Sequence, residues 1–239
     1  MNDEIKVLKN ISIQPNELSS LKYIDDALFT TDDKTGLLYK IKDDEIKTFD
    51  KFNNFYKSET AYMKGKHLYI YNYTKFKKGE TRPRDLRYNL VKYNMKRKEI
   101  IHVYDLTYIV NQYLRSNDYI AIDINAMDYD EDTNSLYFVP RYYRSRKEKK
   151  KYKNDILILS DGSINKIKIS EKLPKEYGVT DMDIFDDKIY FVASREKKLE
   201  EGGKDLSSII FITDMDGNML TDFINYDSYN KYEGITVKK

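Results

Sequence analysis

The chain contains no cysteine and no tryptophan, and only 2 histidines, 4 prolines and 9 glycines among its 239 residues. Without cysteine there is no disulfide, no thiolate metal site and no thiol nucleophile, so a buried core must carry the stability. The two histidines fall at awkward places for catalysis: His67 beside a turn signal and His102 within an expected outer strand. A histidine general base or a Ser-His-Asp triad therefore has little support. No G-x-S-x-G, Walker A or paired metal-ligand histidine motif occurs. Nor is there a run of about 18 apolar residues that would cross a membrane as a helix. The start, Met1-Asn2-Asp3-Glu4, is charged and lacks the apolar stretch of a secretory signal. These absences fit a cytoplasmic protein; the alternative is export with a signal peptide absent from this chain.

What is present is a strand pattern that repeats four times. The second strands of each unit align as Ala27-Leu28-Phe29-Thr30, His67-Leu68-Tyr69-Ile70-Tyr71, Ser135-Leu136-Tyr137-Phe138-Val139 and Lys188-Ile189-Tyr190-Phe191-Val192. Third strands align as Leu37 to Ile41, Asn89 to Tyr93, Asp155 to Leu159 and Ser208 to Ile212. Fourth strands follow tight turns, the last of them expected at Asn218 to Asp222, and first strands are expected at Ser20 to Ile24, Glu59 to Met63, Ile124 to Tyr129 and Thr180 to Phe185. The 23 tyrosines and 10 phenylalanines suit half-buried pleated surfaces. Four antiparallel strands repeated radially make the blade of a β-propeller, so the chain reads as one all-β domain over residues 1–239. A further first-strand candidate, Tyr232 to Val237, ends the chain, and the segment Ile5 to Ile13 is an extra strand. The expectation is five blades, the last one incomplete and closed by the two terminal strands; the alternatives are four blades or a six-bladed-like ring. Asp105 to Leu114 departs from the pattern, with apolar residues at helical spacing and Asp105 placed as an N-cap.

Several short motifs carry a family resemblance. Ser19-Ser20-Leu21, then Leu28-Phe29-Thr30-Thr31-Asp32-Asp33, then Leu38-Tyr39-Lys40-Ile41 resembles the opening blade of SdiA-regulated and esterase-like-phytase propellers. Ser58-Glu59-Thr60-Ala61, Asp123-Ile124-Asn125-Ala126 with Tyr129-Asp130, and Glu233-Gly234-Ile235-Thr236 are similar to that family's later elements. The chain departs from the pattern where Phe29 replaces a tryptophan and Asn125 a glutamate. The resemblance implies a central channel that carries a cation, and in some members ester hydrolysis.

First strands line the channel of a propeller, so their polar residues form the candidate metal set: Glu59, Asp123, Asn125, Asp183 and Glu233. Converging carboxylates and an amide suit a hard cation, and the expected one is calcium. The same residues also read as ordinary hydrated channel lining. The acids from Asp128 to Asn134 alternate as in a calcium loop, but they lack the glycine and the terminal acid of an EF-hand and read as a hairpin turn.

Charge is distributed unevenly. The whole chain carries +2, whereas an insert at 74–87 carries six basic residues against two acids and one at 141–153 carries eight against one. A third insert at 194–206 is balanced. Equivalent propeller loops emerge on one face, so one basic and one acidic face are expected. The candidate ligand-binding set is Lys75, Lys77, Lys78, Arg82, Arg84, Arg87, Arg141, Tyr142, Tyr143, Arg144 and Arg146. Arginine with exposed aromatics holds anions such as nucleotides or single-stranded nucleic acid without sequence readout. Solvated loop charge is the plain alternative. The reading drawn from these features is a non-catalytic propeller that binds an anionic small molecule, a polyanion, an anionic glycan or an acidic protein through its basic loops. Two others compete with it: a calcium-dependent hydrolase of esters, lactones or phosphoesters with its site at the channel mouth, and a protein-interaction scaffold that self-associates through open edge strands.

Overall fold

The computed structural model describes residues 18–32, 35–43, 45–52, 58–73, 87–147, 151, 153, 155–198, 204–226 and 234–237. These form a β-propeller of four four-stranded antiparallel sheets in which sequence order is spatial order. The first blade is β1 (Leu18–Ile24), β2 (Ala27–Asp32), β3 (Leu37–Lys42) and β4 (Glu45–Lys51). The second is β5 (Ser58–Lys64), β6 (His67–Tyr73), β7 (Tyr88–Asn94) and β8 (Glu99–Asp105). Helix α1 (Thr107–Ser116) leads to the third blade, β9 (Ala121–Asp130), β10 (Ser135–Arg144), β11 (Asp155–Ser160) and β12 (Ser163–Lys168). The fourth is β13 (Gly178–Phe185), β14 (Lys188–Lys198), β15 (Lys204–Asp214) and β16 (Ile224–Tyr226).

Two-residue hairpins set the register of each blade. Asp25-Asp26 and Asp186-Asp187 both have positive φ at the two central residues, as do Asp161 and Gly162. That is the type I′ turn, whose twist matches that of the flanking strands; aspartate and glycine tolerate it best. The alternating strands then bury one side chain in two. Aromatic and aliphatic residues meet both within blades and between neighbouring ones. Tyr62, Tyr71 and Leu90 of the second blade pack with Ile122, Phe138 and Leu157 of the third, and Val110 and Leu114 of α1 close the end of that cluster. Phe191 and Phe211 stack at 4.8 Å in the cluster shared by the third and fourth blades. Each such buried ring contributes about 1.5–3 kcal/mol. The inner strands β1, β5, β9 and β13 lie side by side around the axis. The outer strands β8 and β12 face solvent over most of their length.

Three expectations change. First, the described residues make four blades, and no fifth sheet forms among them. Residues 1–17, which include the expected N-terminal strand, lie outside the described residues. The stretch 234–237 is placed between β1 and β13 as irregular chain: the Ile235 N–H donates to Asp181 at 3.0 Å, the Val237 N–H to Asp183 at 2.7 Å, and the Tyr23 N–H to the Thr236 hydroxyl at 3.2 Å. Aspartate side chains have taken the amides that a neighbouring strand would have used. Second, the expected fourth strand at 218–222 gives way to β16 at Ile224–Tyr226. Gly217 turns the chain with φ +87 close against the Lys168 carbonyl, and Asp214 accepts the Asn218 N–H, which delays the return strand. Third, the 194–206 insert is strand through most of its length, paired out to Lys198 and Lys204. The helix begins at Thr107, one residue later than an Asp105 N-cap would set it, although Asp105 still accepts the Thr107 N–H at 2.8 Å.

Candidate functional site at the propeller axis

Each inner strand breaks its pairing, at a matching position in β5, β9 and β13 and close to it in β1, and β9 breaks a second time, between Pro140 and Tyr142 of its partner. Register shifts between Ser58 and Thr60 opposite Asn72 and Tyr71, between Asn125's neighbours opposite Val139 and Pro140, and between Val179 and Asp181 opposite Ala193 and Val192. Glu59, Asn125 and Thr180 are the extra residues, and each lies five positions before the last residue of its strand, Lys64, Asp130 or Phe185. In β1 the irregularity spans Ser19 to Lys22, where Ser20 has φ 65. A bulge bends its strand and re-aims a side chain, and here it does so four times around one axis. Contacts between blades follow. Asn125 Nδ2 donates to Glu59 Oε2 at 2.8 Å, and the Ala61 N–H donates to Ser20 Oγ at 3.2 Å. All four bulge residues are buried. Asn125 Oδ1 and Thr60 Oγ1 are buried with no hydrogen-bond partner among the described residues.

Asp123 stands next to this layer, opposite Tyr142 in the β9–β10 register. The Tyr142 hydroxyl is bonded to the Asp123 carboxylate, and its pKa is pushed up to about 12, by burial first and then by that negative charge. Arg144 Nη2 donates to the same hydroxyl at 3.3 Å. Arg144, Tyr142 and Asp123 thus form a polar chain from the insert face towards the axis.

A second layer lies three positions nearer the hairpin turns. Lys22, Asp128 and Asp183 each sit two residues before the end of their strand, with Tyr62 at the same level in β5. Lys22 is 4% exposed, and its Nζ donates to Asp183 Oδ1 and to the Met182 carbonyl, both at 2.9 Å. Burial pulls the Lys22 ammonium pKa down, but the charges of Asp183, Asp128 and Asp181 push it up further, so it stays above the ordinary lysine value. Burial pushes Asp128 up to about 8 and Asp181 up to about 7, against the pull of Lys22. Asp128 also accepts the Ile184 N–H at 2.7 Å, and Asp181 accepts the Leu21 N–H at 3.2 Å, so the carboxylates bind blades together.

The sequence-predicted residues divide accordingly. Glu59 and Asn125 are joined by a hydrogen bond, and Asp123 stands two residues from Asn125 on β9, bonded to Tyr142. Asp183 belongs to the other layer as the partner of Lys22, because it lies three residues past the bulge, and Glu233 lies outside the described residues. Lys75, Lys77, Lys78, Arg82 and Arg84 also lie outside them. Arg87 and Arg146 are exposed, and Arg141 and Arg144 are half-buried on β10. Tyr142 and Tyr143 were expected to be open stacking surfaces and are instead buried. β10 runs on to Arg144, which carries Tyr143 into a cluster with Tyr119 at 4.4 Å and Tyr142 onto Asp123. Ser20, Thr180 and Lys22 were not named as site residues, and Asp128 was read only as part of a hairpin turn. Counting back two residues from the last residue of the strand finds Lys22 and Asp128, and counting back five finds Thr180.

Hard oxygen donors suit a divalent cation of the calcium type. Among the described residues no three His, Asp or Glu side chains converge as a metal cage. The donors at the bulge layer are instead mixed: the Glu59 carboxylate, the Asn125 amide oxygen, and the hydroxyls of Ser20 and Thr180. The orphaned Asn125 oxygen fits such a cation, since a buried acceptor without a donor is otherwise costly.

Among solved structures, the chain is similar to the GH43 endo-arabinanase from Bacillus licheniformis, with a TM-score of 0.54 at 10% identity over 89% of this chain and 80% of that one. It is also similar to hydrazine synthase from Kuenenia stuttgartiensis, with a TM-score of 0.44 at 12% identity over 93% of this chain and 53% of that one. At 10% identity, the likeness to the endo-arabinanase shows the β-propeller fold alone. No curated protein matches the sequence. The resemblance to SdiA-regulated and esterase-like-phytase propellers holds at the level of the fold, while the family model that matches is a different one. That model covers residues 2–238, so the chain belongs to the Apyrase family.

Proposed function

We propose that the chain is a calcium-dependent phosphohydrolase acting on nucleoside di- or triphosphates at the insert-face end of its axis. The observation that carries this reading is the ring of bulges that gathers Ser20, Glu59, Asn125 and Thr180 at one level, in a chain whose family is Apyrase. An apyrase, as the word denotes, hydrolyses the phosphoanhydride bonds of nucleotides. The basic composition of the inserts at 74–87 and 141–153 suits a phosphate substrate, since positive charge raises the local concentration of anions. Glu59, the Asn125 amide oxygen and the two hydroxyls would hold the cation, which supplies charge neutralisation at the phosphoryl oxygens. Asn125 Nδ2 fixes one Glu59 oxygen and so directs the other. Tyr142, held by Arg144, would orient Asp123, which in this reading accepts a proton from the attacking water. Water adds its oxygen to the terminal phosphorus, the bridging P–O bond breaks, and the shortened nucleotide leaves with its electron pair.

Phosphate release from ATP, ADP and other nucleotides, measured with calcium and with a chelator, tests this reading. The expected result is calcium-dependent release that falls about 100-fold or more in Glu59→Gln, in line with the loss of a group that organises charge in the transition state. Absence of release from every nucleotide with calcium present would overturn it.

A further inference from the structure

The outer edges of the four blades are not equal. The pairing of β3 with β4 slips between Leu38 and Tyr39, that of β7 with β8 slips between Lys92 and Tyr93, and β16 is paired over only three residues. Among the described residues, β12 is the one outer strand paired in unbroken register, from Ser163 opposite Ser160 to Lys168 opposite Asp155. Bulges and short strands blunt an edge, whereas a regular edge is a template for another strand. The Asp161-Gly162 hairpin sets the phase. Its flanking residues, Ser160 and Ser163, form a hydrogen-bonded pair, so bonds to β11 recur at Asn165 and Ile167. The N–H and C=O groups of Ile164, Lys166 and Lys168 therefore point away from the blade. The same phase continues past the strand, where the Ser170 N–H donates outward to the Gly217 carbonyl at 2.8 Å. Gly217 also stands against the Lys168 carbonyl, so the open stretch of the edge is carried by Ile164 and Lys166. Opposite this stretch lies α1. Between them runs a hollow of about 630 Å³, lined by Ile109, Gln112, Tyr113 and Arg115 of the helix and by Ile164 and Lys166 of the strand, among others. No described Asp or Glu lines it. The side chains of Arg115 and Lys166 are exposed and make no ion pair among the described residues. A helix beside a free strand edge is the arrangement to which extended peptides add as a strand, with main-chain bonds for affinity and side-chain contacts for specificity. Positive charge on both walls selects for an acidic strand and against a second β12, whose own lysines would face these.

We infer that the groove between α1 and β12 binds an extended acidic segment of a partner protein, which adds to β12 as a fifth strand of the third blade and turns its acidic side chains to Arg115 and Lys166. The groove lies on the outside of the ring, and its use does not depend on hydrolysis at the axis.

Fluorescence anisotropy of the whole chain with a labelled heptapeptide of alternating valine and aspartate tests the inference, with a heptapeptide of alternating valine and lysine as control. The expected result is saturable binding of the acidic peptide that weakens as salt is raised, and none of the basic one. Lys166→Pro should abolish binding while far-UV circular dichroism stays unchanged, because proline removes an outward N–H and no bond to β11. Arg115→Glu, which leaves the strand untouched, should weaken binding about tenfold. Amide hydrogen exchange at Lys166 in the wild-type chain should slow when the acidic peptide is bound, which separates strand addition from adhesion to the basic inserts. Glu59→Gln should leave binding intact, which separates the groove from the axial site. Absence of saturable binding, equal binding of the basic peptide, binding unchanged in Arg115→Glu or in folded Lys166→Pro, or a Lys166 amide that exchanges as fast with the peptide as without it would each overturn the inference. A chain that dimerises by itself with the Lys166 amide protected would also overturn it, since a second copy would then fill the groove.

Discussion

Replacing Lys22 with methionine isolates the role of a buried cation in closing the ring. Methionine fills almost the same volume, so little cavity forms and the measured cost reports the charge. The wild-type ammonium makes two bonds of 2.9 Å, to Asp183 on β13 and to the Met182 carbonyl, and faces Asp128 and Asp181 as well. A hydrogen bond to a charged group is worth about 1.5–3 kcal/mol. Removing one partner of a buried pair while the other stays costs about 3–5 kcal/mol, since the remaining carboxylates lose the cation that faces them. For a chain of this size that corresponds to a melting temperature lower by about 10 °C. Urea unfolding followed by circular dichroism and by tyrosine fluorescence measures it. The cost should shrink below about pH 6, where Asp128 and Asp181 are protonated and need the cation less. The double variant Lys22→Met with Asp183→Asn should regain most of the loss, because a neutral pair replaces an ion pair at little net cost. A single variant within about 1 kcal/mol of wild type, or a double variant no better than the single, would refute the reasoning.

The same carboxylates make stability depend on pH: with Asp128 raised to about 8 and Asp181 to about 7 from 3.8, the native state holds protons that the unfolded chain has released, so stability present at low pH is lost as pH rises through about 7 to 8. The urea midpoint should therefore fall between pH 6 and pH 8, and a midpoint that rises across this window contradicts the assignment. Gly234→Ala should cost about 1–3 kcal/mol by overpacking, because its Cβ would stand 2.6 Å from Leu21 Cβ and 3.1 Å from Leu21 N, where the C-terminal stretch meets β1; thermal melts check this. Asn125→Asp adds a second carboxylate beside Glu59 and should tighten the apparent calcium affinity by roughly tenfold, read from the calcium dependence of melting or of phosphate release.

The sequence by itself determined the blades. Alternating apolar strands and turn residues such as Asp25-Asp26 and Asp186-Asp187 act locally, so their positions follow from period and backbone preference. It also put Glu59, Asp123 and Asn125 on inner strands, because first strands must line the axis of a radial repeat. What lay beyond its reach depends on contacts between blades. Tyr142 and Tyr143 looked like exposed aromatics in a basic loop, and only the prolonged pairing of β10 turned them inward. Lys22 carries no mark in the sequence, since its partner Asp183 lies 161 residues away in the chain and 2.9 Å away in space. The bulges at Glu59, Asn125 and Thr180 add one residue to a strand without any mark in composition, and only the register against the neighbouring strand reveals them. Local chemistry fixes strands and turns; the sites of this protein are made where four blades meet, and that meeting is a tertiary event.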